Sequence, residues 1–179
     1  MPAACRLFCG LGGLGLHSAS PGARDRDGNA VVKAEQVLWF QPRRAGTTTV
    51  HDVPYGVTSG TRGTEDRRYR GLIYVAVGRD GKLCVVNQVR ETDILAGLVP
   101  AEIYASAPSQ ALAAQAIAAR GQLVAKVGTR HLADPFLLCA HQHCQVYAGA
   151  SREHPRTTAA VRAICRGRVQ CHLSPAAAA

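Results

Sequence analysis

Apolar positions along this chain come in two textures. Up to residue 90 they form short runs rich in β-branched and aromatic residues: VVKAEQVLWF over residues 31–40, TTTVHDV over 47–53, then LIYVAV and KLCVVNQV either side of a Gly-Arg-Asp-Gly turn at 78–81. Runs of this kind, bounded by turn residues, predict strands, and the last two predict a hairpin. Their apolar residues continue without strict alternation, which predicts a hairpin covered on both faces. Pro54, Gly56 and the SGTRGTED stretch interrupt the pattern, and residues 17–29, almost without apolar side chains, predict a flexible lead-in.

After residue 91 the period changes. Asp93 is placed to cap a short turn through Leu98, and Pro100 to start another that carries Glu102 in its first turn. Leu112, Ala116, Ala119 and Leu123 recur at helical spacing with Ala113, Ile117 and Val124 beside them. Only Gln115, Arg120 and Gln122 interrupt the apolar surface, so this Ala-rich helix is expected to be buried. Pro135 stops any helix, residues 139–147 are compact and polar-aromatic, and residues 157–165 predict a further helix. Strands followed by helices give an α+β class: a small mixed sheet with a β-hairpin packed on a buried helix.

Composition narrows the partners. The 179 residues suffice for one core, and 21 Lys+Arg against 12 Asp+Glu give a formal charge of +9. The basic residues are scattered and do not interleave with exposed aromatics, so nucleic acid is not expected, and a polyanionic cell wall accounts for the charge equally well. The opening residues, one Arg followed by LFCGLGGLGL, imitate an export signal diluted by glycine, and no stretch reaches membrane-spanning length. The seven cysteines do not pair evenly, and only Cys139 and Cys144 cluster suggestively.

The stretch over residues 85–128 carries Leu95-Ala-Gly-Leu-Val-Pro-Ala-Glu102 followed by Gln110-Ala-Leu-Ala-Ala-Gln-Ala-Ile-Ala-Ala-Arg120. Downstream stand His131-Leu-Ala-Asp-Pro-Phe-Leu-Leu-Cys139, His143-Cys-Gln-Val-Tyr-Ala-Gly149 and HPRTTAAVRAICRGRV. These linked motifs, over residues 69–170, resemble the stage II sporulation protein D (SpoIID/LytB) family. The resemblance implies a SpoIID-like domain over 30–172, after a lead-in or poor signal peptide over 1–29 and before a disordered tail over 173–179. Where the family pattern goes on to a C-G-G-x-T motif this sequence has QCHLSPAAAA, so the family core is expected to be truncated at its C-terminus.

Likeness to the family also implies an activity: a peptidoglycan lytic transglycosylase acting outside the cytoplasm, in the envelope or periplasm, on glycan strands. Glu102 would be its single acid/base. One carboxyl suffices when the substrate's own C6 hydroxyl attacks the anomeric carbon and closes a 1,6-anhydro ring. Leu98, Val99 and Ile103 are expected to give Glu102 apolar surroundings, whereas residue type and position alone would make a Glu in a first helical turn a dipole-stabilising group. Arg120 would hold sugar, fix the carboxylate or make a structural ion pair, and Gln115, Gln145 and Tyr147 would contact sugar or satisfy buried backbone.

The soft ligands Cys139, His141, His143 and Cys144, with His131 upstream, suffice for tetrahedral Zn2+, and the family carries the set over as His131, Cys139, His143 and Cys144. Four protein ligands make such a zinc structural; a Cys139–Cys144 disulfide or two free thiols are the rivals. Two other functions stand beside cleavage: a wall-binding module that enhances a cell-wall amidase, and, less favoured, a zinc-stabilised basic module for nucleic acid.

Overall fold

A computed structural model describes residues 6–10, 22–24, 29–33, 37–42, 46–55 and 63–166. The central feature is the hairpin of β7 (Leu72–Val77) and β8 (Leu83–Gln88), paired from Leu72↔Gln88 to Val77↔Leu83. Ile73 and Tyr74 are both buried although they point to opposite faces, as are Val86 and Asn87, so the hairpin is covered on both sides as its unbroken apolar runs predict. β1 (Arg6–Gly10) pairs with β8, and β4 (Val37–Phe40) with β7, completing a sheet in the order β1-β8-β7-β4.

Two further pairs stand apart: β2 (Gly22–Arg24) with β3 (Ala30–Lys33), and β5 (Thr48–Tyr55) with β6 (Gly63–Tyr69). All pairing among the described residues is antiparallel, which corrects the expected mixed sheet. The run over 31–40 divides into β3 and β4, which join different sheets. β6 lies partly within the stretch read as a break: its Thr, Glu, Asp and Arg residues hide a strand whose exposure alternates along its length. Residues 6–10 and 22–24 are strands inside the expected lead-in; the rest of 1–28, and the tail over 173–179, lie outside the described residues.

Three helices follow. α1 (Glu91–Glu102) runs straight through Pro100, so the two short turns expected around that proline are one helix. A proline inside a helix costs about 3 kcal/mol. Burial of the four large side chains Ile94, Leu95, Leu98 and Val99, at roughly 1.5–3 kcal/mol each, outweighs it. Gly97 lets α1 reach the 3-10 turn Gly149–Arg152: a Cβ at 97 would stand 2.5 Å from the Gly149 carbonyl oxygen.

α2 (Ser109–Lys126) buries the stripe Leu112, Ala116, Ala119 and Leu123 but leaves Ile117 60% and Val124 39% exposed. It is therefore half-buried, and α1 is the core helix. α3 (Pro155–Arg166) includes the helix expected over 157–165. Asn87 ties sheet to loops: its amide donates to the Arg70 and Leu72 carbonyls at 2.7 and 3.1 Å, and its Oδ1 accepts from the Tyr147 hydroxyl at 3.2 Å.

Candidate active site

Glu102 is the last residue of α1 and is exposed. Leu98 and Val99, expected around it, lie wholly inside the core and leave the carboxyl outside their apolar environment. At this end the helix dipole opposes a carboxylate, so dipole stabilisation does not explain the residue. The Gln145 amide reaches it, Nε2 donating to Glu102 Oε1 at 3.3 Å. No ion pair engages Glu102 among the described residues. The loop beyond it is fixed by Arg156, whose guanidinium donates to the Ala105 and Ala107 carbonyls at 2.8 and 3.1 Å. Two hollows, of about 560 Å³ along Glu153, His154, Thr158 and Arg162 and about 460 Å³ beside Asp80, Cys84, Asp134 and Phe136, do not include Glu102 in their linings.

Gln145 follows directly on a second cluster. The ligand atoms of His131, Cys139, His143 and Cys144 lie within 4.8 Å of one another. Cys144 Sγ is 3.3 Å from His131 Nε2 and 3.5 Å from His143 Nδ1, and Cys139 Sγ is 3.7 Å from that same Nδ1. His131 adopts a left-handed φ of 55°, strain that its surroundings must hold. Asp134 does part of this, its Oδ2 lying 2.8 Å from His131 Nδ1, and the His131 ring packs on Phe136 at 4.8 Å.

The loop is also anchored to the end of α2, Lys126 donating to the Cys144 carbonyl and Arg130 to the His143 carbonyl. Burial, with Cys144 beside it, holds the Cys139 thiol above its usual range. His141 stays outside the quartet: burial, aided by the nearby Arg67 charge, pushes its imidazole below the usual value, and its buried Nε2 has no partner among the described residues.

Compared with known proteins, residues 79–170, just over half of the chain, match the family model described as Stage II sporulation protein. The chain belongs to the SpoIID family. No curated protein and no solved structure matches it. Membership ties this SpoIID chain to work at the cell wall, and no helix among its described residues is long and apolar enough to cross a membrane.

In this SpoIID chain, Glu102 and Gln145 are brought together, and the four expected metal ligands converge. Arg120 pairs with Glu91, Nε to Oε1 at 2.7 Å, which is the structural ion pair of the alternatives considered. Tyr147 is 1% exposed with its phenol pushed far above the usual value by burial, so it is a core residue and not a sugar contact. Gln115 is half-buried on α2. Sequence reasoning missed Asp134, three residues after His131, and Asn87 within the VVNQV run. The first had a signal in its spacing from a candidate ligand, the second none beyond a polar residue in an apolar strand.

Proposed function

We propose that the protein is a peptidoglycan lytic transglycosylase of the cell envelope that cuts between N-acetylmuramic acid and N-acetylglucosamine. What carries this reading is an exposed carboxyl, Glu102, at the end of a buried helix with an amide partner at 3.3 Å. Glu102 gives its proton to the bridging oxygen as that bond breaks. The carboxylate then takes the proton of the C6 hydroxyl, whose oxygen bonds to the anomeric carbon and closes the 1,6-anhydro ring, so no water is consumed.

The quartet suits a structural Zn2+. Zinc–sulfur and zinc–nitrogen bonds of about 2.3 and 2.0–2.1 Å in a tetrahedron put S and N ligand atoms roughly 3.6 Å apart. The three observed S–N separations run from 3.3 to 3.7 Å. When bound, the ion supplies a cross-link within the loop, and four protein ligands leave it no open position for substrate. Both thiols are free, as ligation requires.

Purified protein incubated with peptide-free glycan strands is expected to release 1,6-anhydromuramic ends, read by mass spectrometry. Glu102→Gln should lower the rate by a factor on the order of 10²–10⁴ while binding to sacculi persists. A Glu102→Gln variant that cleaves at the wild-type rate sinks the assignment. Wild-type protein that binds sacculi and yields no anhydro product favours the amidase-assisting role instead.

A further inference from the structure

Gln145 is 6% exposed, and its two amide atoms are treated differently by the fold. Nε2 points to Glu102, while Oε1 is buried without a hydrogen-bond partner among the described residues. A buried carbonyl left unpaired keeps its full desolvation cost, and such a group calls for a reason. Its backbone is not free to relieve the cost: the preceding residue, Cys144, has its carbonyl held by Lys126 and its sulfur among the quartet. The amide can still rotate about its last side-chain bond, which exchanges Oε1 and Nε2.

We infer that Gln145 is the positioning residue of Glu102, and that its amide serves both protonation states of that carboxyl. Towards the carboxylate it donates through Nε2, the arrangement observed. Turned by half a revolution, it accepts from the carboxyl through Oε1. A Lys or Arg in its place would favour only the charged form, and a second carboxylate would work against that form. An acid/base that must lose a proton and regain it within one turnover needs a partner that follows it, and an amide carries a donor and an acceptor at equivalent places. The unpaired inner atom is what makes the rotation cheap: an inner partner would lock the amide, whereas here the turn breaks no inner bond. The inference rests on the proposed acid/base role of Glu102 and assigns to Gln145 a task other than binding sugar.

The test uses the full chain with its metal content measured. In ¹⁵N-labelled protein, the side-chain amide pair of Gln145 is identified by its loss in Gln145→Met and followed as pH is varied. The pair is expected to move with a single midpoint in the wild type and to stay still in Glu102→Gln. Any pH response that does not come from Glu102 would persist in that variant, which therefore serves as the control. A pair that stays still in the wild type, or moves equally in both proteins, overturns the contact.

In kinetics, Gln145→Met should lower kcat about 10–100-fold, the worth of a hydrogen bond to a charged group, with KM changed less than about twofold. A raised KM at unchanged kcat overturns positioning and makes the residue a sugar contact. Absence of anhydro product from wild-type protein overturns the cleavage reading on which the role rests, whereas resonances that ignore Glu102 overturn the contact itself, so the two failures are told apart.

Discussion

The loop over residues 131–144 and the end of α1 hold their chemical groups by opposite means. The loop has little regular structure, and its geometry comes from side chains: two sulfurs and two imidazoles in contact, Asp134 behind His131, Phe136 beneath it, and Lys126 and Arg130 on its carbonyls. Glu102 inherits its position from a helix whose large apolar residues Ile94, Leu95, Leu98 and Val99 are locked in the core, and one amide contact aims the carboxyl. A group held by backbone keeps its place when a neighbour changes, whereas a group held by mutual side-chain contact fails as a set. The two regions meet at Cys144 and Gln145, adjacent in the chain and belonging one to each.

The most severe break in this contrast is Cys144→Ala, because Cys144 Sγ is the atom that touches both imidazoles. Structural zinc contributes on the order of 10 kcal/mol to the folded state of small zinc domains. Metal analysis after dialysis should fall from about one equivalent to near none, and Tm should drop by more than any single core truncation produces. Wild-type protein purified without metal, and showing no change in Tm with chelator, would refute the zinc site. The opposite dissociation comes from Leu98→Ala on the buried face of α1. It should cost about 2–5 kcal/mol by denaturant unfolding. Metal affinity should be unchanged, since no ligand rides on that helix; a parallel loss of metal would show that the regions are one cooperative unit and not two.

This contrast also decides what the sequence could disclose. Periodicity located the β7–β8 hairpin, α2 and α3 because burial of regular elements writes itself into spacing. It failed at Pro100, where a local rule worth about 3 kcal/mol yielded to the burial of Ile94, Leu95, Leu98 and Val99. It overstated α2, since small apolar residues such as Ala look alike on a buried and an exposed face, and Ile117 stands in solvent. It passed over β6, whose polar residues alternate in exposure without an apolar face to mark them. In the site, the resemblance to the family is what marks Glu102 and the four candidate ligands. Gln145 reads from the sequence as a contact to sugar or to buried backbone, because the Glu102 carboxyl that it reaches lies 43 positions away and only folding joins them. Tyr147 takes the buried one of its two readings for a related reason: nothing local shows that its hydroxyl donates to Asn87 Oδ1.

The mildest test acts on the loop without removing a ligand. Asp134 Oδ2, 2.8 Å from His131 Nδ1, fixes the imidazole so that Nε2 faces Cys144 Sγ at 3.3 Å. A carboxylate behind a ligating histidine sets the tautomer and the ring orientation, and its loss typically weakens metal binding 10–100-fold. Asp134→Ala should therefore raise the zinc dissociation constant by about that factor in competition with a chromogenic chelator. Asp134→Asn should do less, since its amide oxygen still accepts from Nδ1–H. Helix content is expected to stay the same in both, because Asp134 belongs to no helix. Equal zinc affinity in wild type and Asp134→Ala would mean that the His131 backbone, at φ 55°, fixes the ring by itself, and would move the loop closer to the α1 end, where the main chain does the positioning.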